Sequence, residues 1–543
     1  MRNGRIEISR VPSCIHCAKD VHFQGISNHD AFLRSGIGLV QGIFKNCSMG
    51  FHDAAVSVID NGEILFAAHT ERYSRIKNDP WLNSDIISEA LEYGKPDVIV
   101  LHERTWLKRL RNIVSRDWAS AREPTPQWWI KNFYPELSGI PIKQVGHHYS
   151  HAAAGVMTSD MPEACVVNID AIGEFDSATI WHWRAGKMKK LHSVKFPNSL
   201  GLFYSAVTHR VGLKPMEDEY ILMGMAAYGD EKLAKEVSNT MSTDYFKTKP
   251  WISGKLALNM KSNVQRGLDP DSFPGVDDMV IARAAQMQAE HRIFRYCEYA
   301  KKLTGSDNLI YGGGVALNCM ANTRLFDLFD DIWIMPNPGD AGSSLGAAAL
   351  YYYNHTGNTL TWQGPYTGTN IPGKYPVKLA MQSLKQNKIF GIANGRAEFG
   401  PRALGNRSLM ADPRGGDIKS DLNEIKKRQK FRPFAPIILE EFASHYFEMP
   451  CKRIPYMQFV VKCKFPELFP AIVHYDGTSR VQTVNRDDHA GLYRLLREFY
   501  DATGCPMLVN TSLNIKGQPM VNTVSDAADF AKHYGVEVHT SDV

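Results

Sequence analysis

The chain has 543 residues, of which 44% are hydrophobic and 22% are charged. At roughly 100–200 residues per domain, this length predicts two or three folding units with sizeable cores, and the composition excludes collagen, coiled-coil and globally disordered classes. The formal net charge is +5. Because this excess is small for the length, it supports local basic pockets for phosphorylated ligands and argues against a nucleic-acid partner.

The apolar and cysteine patterns bear on the compartment. No run of about 18 apolar residues is present, and residues 1–18 lack the continuous apolar core of a signal peptide. Nine cysteines at irregular spacing favour reduced thiols over a disulfide framework. Cys14 and Cys17 form the only close pair, whereas a zinc ribbon would need a second one. We therefore expect a cytoplasmic protein without a membrane span.

The predicted elements alternate between strands and helices. Residues 1–40 show no sustained period and are predicted to be an atypical extension, followed by a first strand at Gln41–Ser48 and a hairpin around Asn61-Gly62. A long helix is predicted at Val280–Leu303. Further strands are predicted at Asp97–Leu101, Ala164–Asp170, Leu309–Tyr311 and Asp331–Met335. This alternation indicates an α/β fold.

A domain boundary is predicted near residues 357–375, where Thr, Gly, Asn and Pro dominate and no period survives. We expect one domain at 41–356, a linker at 357–375 and a second domain at 376–543. The basic stretch Arg104 to Arg122 is predicted to be a solvated amphipathic helix.

Two histidines lie at helical spacing before an alanine run. His147 and His151 would lie one turn apart on one helix face, close enough to bind one metal ion, although such pairs are more often incidental. Asp340 lies at a predicted turn from strand to helix, so it is either an N-cap residue or a ligand for an ion. A third, oxygen ligand would strengthen the metal hypothesis.

Two further turns could approach a ligand. Gly312-Gly313-Gly314 follows a predicted strand and leads to Asn318, which allows close backbone approach to a phosphate or sugar, although a generic glycine turn explains it equally. Asp170 begins a hairpin turn that ends at Glu174, a form also found in phosphate-contacting hairpins of the actin-like ATPase superfamily. A plain turn is the alternative.

The C-terminal part is rich in cations. Residues 395–415 and 425–436 together contain Arg396, Arg402, Arg407, Arg414, Lys426, Lys427, Arg428, Lys430 and Arg432. Arginine suits bidentate phosphate contact, and only Glu424 could compensate the second group at helical spacing, so we predict a polyanion-binding pocket. Two polar clusters, either surface turns or pocket walls, contain Thr478, Arg480, Gln482, Asn510, Ser512 and Asn514.

These motifs, in this order, resemble the ATP-dependent O-carbamoyltransferases of antibiotic and nodulation-factor biosynthesis. The match runs from about Met49 to Asp526. It includes FHDAA, TERY, HHYSHA, MGMAAYG, GGGVALN, PGDAG, GRAEFGPRALGNRS, FRPFAP, DGTSRVQT and NTSLN. The resemblance implies an actin-like ATPase-type N-terminal domain, similar to the threonylcarbamoyl transferase, followed by a twisted α/β domain that forms carbamoyl-adenylate.

The resemblance also implies an activity and residue roles. ATP and carbamoyl phosphate would give carbamoyl-adenylate, and its carbamoyl group would pass to a hydroxyl of a sugar, polyol or nucleoside-like acceptor. Iron or zinc would be bound by His147, His151 and Asp340. Catalytic roles would fall to His52, Asp53, Asp170, Arg402, Arg432 and Arg480. Substrate contacts would come from Glu71, Arg72, Gly313, Gly314, Asn318, Arg396, Lys427, Thr478, Gln482, Asn510, Ser512 and Asn514.

The sequence departs from the family at three positions, and other functions stay open. Ile221 stands where many members have lysine, and Gln429 and Gln518 stand where acids are common, so charge roles there are in doubt. One alternative function is a sugar kinase of the actin-like superfamily, which would release ADP. Another is a nucleotide sensor or scaffold with a degenerate site, which would show no turnover. The expected partners are a small-molecule acceptor and a second copy in a possible homodimer.

Overall fold

The computed structural model describes residues 53–115, 117–196, 198–241, 272–415, 417–429 and 432–542, and the backbone alone for residues 37–42. Its first sheet contains β1 (Ile37–Gly42), β2 (Ala55–Asp60), β3 (Glu63–His69), β4 (Val98–Leu101) and β5 (Ile142–Gln144). The associated helices are α1 (Glu71–Ser74), α2 (Ser84–Leu91), α3 (Thr105–Val114), α4 (Trp118–Ala121), α5 (Pro126–Phe133) and α6 (His147–Thr158).

The first sheet has the order β3-β2-β1-β4-β5, with β1 antiparallel to β2 and parallel to β4. The predicted hairpin is confirmed, because Asn61 and Gly62 both adopt positive φ between β2 and β3. The predicted position of the first strand was wrong: β1 begins at Ile37, and residues 43–48 lie outside the described part. The two glycines in IGLVQG lower the strand propensity of this segment, so the sequence pattern did not predict β1.

The second sheet repeats the arrangement of the first. It contains β6 (Glu163–Gly173), β7 (Asp176–Arg184), β8 (Lys187–Lys195), β9 (Asn308–Gly312) and β10 (Asp331–Trp333). The order is β8-β7-β6-β9-β10, with β6 antiparallel to β7 and parallel to β9. Its helices are α7 (Leu200–Arg210), α8 (Glu219–Met225), α9 (Glu231–Thr240), α10 (Asp278–Thr304), α11 (Cys319–Thr323) and α12 (Asp340–Thr356).

The rest of the chain forms a third, six-stranded sheet with two short strand pairs. Its helices are α13 (Val377–Lys385), α14 (Ile418–Ile425), α15 (Glu440–Tyr446), α16 (Ala490–Thr503) and α17 (Val524–Tyr534). Its strands are β11 (Tyr366–Ile371), β12 (Phe390–Ala393), β13 (Gly395–Glu398), β14 (Arg407–Ala411), β15 (Ala435–Leu439), β16 (Val461–Lys462), β17 (Thr478–Ser479), β18 (Gln482–Val484), β19 (Met507–Ser512) and β20 (Glu537–His539). The large sheet has the order β18-β15-β19-β14-β12-β20, so the predicted α/β class is confirmed.

Two local predictions need correction. Residues 357–375, predicted to be a linker without a strand, contain β11, which pairs with β13. The side chains of β11 are mostly Thr, Gly and Asn, so the strand is specified by this pairing rather than by local apolar pattern. Helix α3 lies in the stretch predicted to be a solvated amphipathic helix, yet Arg111 within it is buried and donates a hydrogen bond to the carbonyl oxygen of Glu174.

The main core is continuous across the second and third sheets. Val167 of β6 and Ile437 of β15 belong to the same cluster of buried apolar side chains. The six described cysteines have free thiols, in line with the predicted reduced state. Among the described residues, no helix is both long and apolar enough to cross a membrane.

Candidate active site

Helix α6 presents two buried histidines, His147 and His151, one turn apart as predicted. Helix α12 packs directly against α6. A Cβ added to Gly346 of α12 would lie 1.9 Å from the carbonyl oxygen of Ser150 in α6. Only glycine therefore allows the close helix contact that brings Asp340, the first residue of α12, beside the histidines.

Asp170 and Asp340 complete a cluster with the two histidines. The Nε2 atoms of His147 and His151 are 3.1 Å apart. Oδ2 of Asp170 lies 3.2 Å from the first nitrogen and 2.9 Å from the second. Oδ1 of Asp340 lies 3.4 and 3.2 Å from the same atoms. The sequence predicted three of these residues as metal ligands, and the structure adds Asp170, predicted as catalytic, to the same cluster.

This donor cluster has the composition and spacing of a divalent-metal site. Ligand atoms about 2.1 Å from an ion lie about 3.0–3.4 Å from one another in octahedral or tetrahedral arrangements. One ligand atom from each of the four residues falls within 4.8 Å of the others. Two imidazole nitrogens 3.1 Å apart repel whether both carry a proton or both present a lone pair. A cation between them removes that repulsion, so these residues fit an ion with mixed nitrogen and oxygen ligands.

The same geometry sets the protonation states. Burial alone would lower the pKa of His151, but the carboxylates of Asp170 and Asp340 raise it to about 9. The pKa of His147 is raised for the same reason, against the effect of burial. Burial would raise the pKa of Asp170, but hydrogen bonds from the two histidines hold it well below its usual value. Without an ion, the cluster is a buried ion-pair network.

Two residues outside the cluster fix the histidine rings. The Nδ1 atom of His151 is 3.0 Å from the hydroxyl oxygen of Ser343, one turn along α12 from Asp340. This contact orients the ring so that Nε2 faces the carboxylates. The ring of His147 packs against Gly173 at the end of β6, where an added Cβ would lie 2.0 Å from Cδ2 of the imidazole. The position of His147 therefore requires glycine there.

A second cluster, called here the cationic cluster, lies in the third-sheet region. It consists of Arg402, Lys426, Arg428, Arg432 and Arg480. Burial and the neighbouring Arg480 lower the pKa of Arg402 to about 9, and burial with Arg432 and Arg480 lowers that of Arg428 to about 8. No member forms an ion pair with a carboxylate of the described residues. The positive charges of these side chains repel one another, and a bound polyanion would relieve this repulsion.

One cavity of about 520 Å³ connects the two clusters. Asp170 and Asp340 of the donor cluster line it, and so do the residues of the cationic cluster; Asp53 is also part of its wall. The volume is that of a site for a small molecule or nucleotide. One cavity therefore borders both clusters.

The predicted polar residues of the C-terminal part mostly reach this cavity. Thr478, Asn510, Ser512 and Asn514 line it. Gln482 lies behind them: it is buried, donates to the carbonyl oxygen of Leu404 and accepts a hydrogen bond from Asn510 at 2.8 Å. Its contact with the cavity is therefore indirect.

Other predicted residues fall in different places. Gly314 and Asn318 line the cavity, whereas Gly313 supports the turn with φ +86°. Arg396 is directed away from it, because its guanidinium donates to the carbonyl oxygens of Leu65, Thr367 and Gly368. These bonds tie the third-sheet region to β3 and β11, which is a structural role.

The remaining three predicted contacts also lie off the cavity wall. Glu71 is buried and pairs with Lys77 at 2.7 Å, while Arg72 donates to the carbonyl oxygen of Gly400. Lys427 adopts φ +49° and lies over the ring of Tyr534. His52, predicted as catalytic, lies outside the described residues.

Lys426 and Arg428, which belong to the predicted polyanion-binding pocket, line the cavity, whereas Lys427 between them has a left-handed backbone and does not. Sequence reasoning missed two further lining residues. Arg111 and Tyr220 also line the cavity. No periodicity distinguishes them, because α3 looks solvated and Tyr220 lies within a largely buried helix. Of the departures, Ile221 is buried in apolar surroundings and Gln518 lines the cavity.

The chain matches two family models of carbamoyltransferases. The family model described as carbamoyltransferase N-terminus matches residues 130–349, and the model described as carbamoyltransferase C-terminus matches residues 381–541. The chain belongs to this family, which confirms the predicted resemblance and the predicted enzyme class.

Several curated proteins are similar over most of the chain. A nodulation protein NolNO of Sinorhizobium fredii is 31% identical over 88% of this chain and 76% of its own length. Nodulation protein NolO of Bradyrhizobium diazoefficiens is 34% identical over 70% of this chain and 75% of its own. An uncharacterised protein of Synechocystis is 32% identical over 88% and 92%.

Solved structures are matched more weakly. The crystal structure of T. kodakarensis HypF aligns with a TM-score of 0.32 and 13% identity, covering 59% of this chain and 48% of HypF. The phosphate- and nucleotide-bound form of full-length HypF aligns with the same score over 47% of its length. The chain thus spans about half of these HypF proteins.

Proposed function

We propose that this carbamoyltransferase forms carbamoyl-adenylate from ATP and carbamoyl phosphate and transfers the carbamoyl group to a hydroxyl of a small molecule. The observation that carries the proposal is the cavity that borders both the cationic cluster and the donor cluster. A one-site reaction would need only one of these clusters.

The cationic cluster suits the first half-reaction. Water releases carbamate and phosphate from carbamoyl phosphate, and a carbamate oxygen then attacks the α-phosphorus of ATP. The bond from that phosphorus to pyrophosphate breaks, which gives carbamoyl-adenylate. Arg402, Arg432 and Arg480 would neutralise the charge on the phosphates, which is the main requirement for phosphoryl chemistry. Thr478, Ser512 and Asn514 would add neutral hydrogen bonds.

The donor cluster suits the second half-reaction. The acceptor hydroxyl oxygen attacks the carbamoyl carbon, the bond from that carbon to AMP breaks, and AMP leaves. Iron or zinc on His147, His151, Asp170 and Asp340 would supply Lewis-acid polarisation of the adenylate. We assign the hydroxyl proton to the carboxylate of Asp53, which lines the same cavity and lies outside the donor cluster.

The first two sheets support the actin-like assignment of the N-terminal part. Both have the order 3-2-1-4-5 in their own numbering, with the first strand antiparallel to the second and parallel to the fourth. Asp53 lies just before β2 and Asp170 lies near the end of β6, so each lies close to the connection between the first two strands of its sheet. Hairpins at this place contact phosphates in actin-like ATPases, and that role is proposed here.

The acceptor is proposed to be a sugar, polyol or nucleoside-like molecule. Between the two clusters the wall combines apolar and polar side chains, among them Leu202, Tyr204, Ser205 and Glu219. Hydroxyl-rich molecules match such a mixed wall. A cytoplasmic location and a homodimer stay predictions.

The nucleotide products discriminate between the candidate functions. Purified protein is incubated with ATP, carbamoyl phosphate and a panel of hydroxylated acceptors, and nucleotides and acceptor masses are measured. AMP with pyrophosphate, together with an acceptor mass increase of one carbamoyl group, is the expected result. ADP with a phosphorylated acceptor would support the sugar kinase instead, and nucleotide retention without turnover would support the sensor.

A further inference from the structure

Helix α8 carries one aromatic side chain into the cationic cluster. Tyr220 is 40% exposed and lines the cavity, whereas the next two residues, Ile221 and Leu222, are buried in an apolar cluster. The helix lies in the N-terminal family region, residues 130–349, while the cationic cluster lies in the C-terminal one. Tyr220 is thus a residue from one family region placed in the site of the other.

The base of this helix is held firmly. The carboxylate of Glu219 accepts hydrogen bonds from the hydroxyl of Ser205 and the backbone N–H of Met216, both at 2.6 Å. Together with the buried neighbours of Tyr220, these bonds fix where its side chain starts. The ring therefore projects from a rigid support into the cavity.

The ring of Tyr220 packs on Arg432. The guanidinium carbon lies 4.8 Å from the ring centroid, within the range of a cation–π contact. Among the described residues no carboxylate forms an ion pair with Arg432. The ring covers one face of the guanidinium, and the Tyr220 hydroxyl accepts a hydrogen bond from it. The remaining N–H groups stay available for phosphate oxygens. Tyr220 lines the same cavity as Arg402 and Arg428, so it lies beside the cationic cluster.

We propose that Tyr220 is a positioning residue for the adenylation step, which holds the guanidinium plane of Arg432 against the nucleotide phosphates. The inference rests on the proposed function. It adds that the adenylate-forming site is completed by a residue of the N-terminal family region. The two regions would then share one site rather than only exchange an intermediate.

The test compares Tyr220→Leu and Tyr220→Phe in the full chain. Pyrophosphate release is measured at saturating carbamoyl phosphate while ATP is varied. Because the ring face and the hydroxyl of Tyr220 both contact Arg432, Tyr220→Leu should raise the KM for ATP about tenfold with kcat changed less than threefold. Tyr220→Phe keeps the ring face and loses the hydroxyl, so its KM should lie between those of the Leu variant and the wild type. Tyr475→Leu is the control, since Tyr475 is exposed, stacks on Tyr228 and does not line the cavity.

Each outcome decides the inference. A wild-type KM in Tyr220→Leu, or equal losses in the Leu and Phe variants, would overturn it. Melting curves check folding, and Tyr220→Met replaces the Leu variant if that protein does not fold. If the wild type itself releases ADP or no pyrophosphate, the proposed function fails. If the wild type releases pyrophosphate and Tyr220→Leu matches it, only the role of Tyr220 fails.

Discussion

The His151→Ala substitution should separate the two half-reactions. It removes one of four donor groups, in which the histidine nitrogens lie 2.9–3.4 Å from each other and from the carboxylate oxygens, and it leaves His147 as the only histidine of the cluster beside Asp170. Loss of a residue that merely orients a ligand lowers metal affinity by about 10–100-fold. Loss of the ligand itself should lower affinity by more than about 100-fold, or about 2.8 kcal/mol. The cationic cluster is untouched by this change.

Two measurements on the same purified protein test this expectation. Elemental analysis gives bound metal, and a coupled assay gives pyrophosphate release beside carbamoylated product. We expect metal and product to be lost while pyrophosphate release in the first turnover is kept. Circular dichroism and a melting curve check that the variant remains folded.

The neighbouring histidine provides the control. His148 is buried on the same helix, but its Nε2 lies 3.0 Å from the carbonyl oxygen of Asp176, outside the donor cluster. His148→Ala should cost stability and still bind metal. Full metal content or wild-type transfer in folded His151→Ala protein would refute the role of the donor cluster.

Four further outcomes are expected. Arg480→Ala removes a cation of the proposed phosphate site, and such an interaction contributes about 1.5–3 kcal/mol. The kcat/KM for pyrophosphate release should therefore fall about 10–150-fold while the metal content stays unchanged. Arg432→Ala should have the same effect, and wild-type pyrophosphate release in either variant would contradict this prediction. Gly173→Ala should lower metal content, as measured by elemental analysis, because the new Cβ would lie 2.0 Å from the His147 ring. Burial lowers the pKa of His489 from 6.5 to about 4, so protonation favours the unfolded chain below pH about 6.5, and on the order of 3 kcal/mol of stability is lost by pH about 4. Urea unfolding at pH 7 and pH 5 should show a loss of about 2 kcal/mol between the two, and His489→Gln should reduce it. Deletion of residues 1–40 shortens β1, which pairs with both β2 and β4, and should lower the melting temperature, whereas deletion of residues 1–35 leaves β1 whole and should preserve transfer.

Local sequence signals predicted the elements that depend on local chemistry. The Asn61-Gly62 turn and the spacing of His147 and His151 each encode their geometry within a few residues. The strands and helix predicted between residues 97 and 335 are also present, with shifts of one to a few residues at their ends. β1 and β11 were missed because glycine-rich or polar strands are specified by their partners across the sheet.

The residue types of the candidate site could be predicted from the sequence, but which side chains meet there could be predicted only in part. The donor cluster needed Asp170 from a hairpin and Asp340 from a distant helix, and only the fold brings them together. The family pattern supplied the cationic residues but could not tell Arg396, which binds carbonyl groups of β3 and β11, from Arg402, which lines the cavity. The direction of the Lys427 side chain depends on the left-handed backbone of Lys427 itself. The sequence pattern does not indicate this backbone conformation.

The repeated sheet order has a mechanical consequence for the donor cluster. Helix α6 follows the last strand of the first sheet and carries both histidines, and α12 follows the last strand of the second and begins at Asp340. An ion bound there would have ligands from both halves, so its binding free energy would also stabilise the contact between them. A chelator should then loosen the N-terminal part as a whole, and proteolysis between the halves should become faster. Each half alone provides only two of the four ligands, His147 and His151 in one and Asp170 and Asp340 in the other.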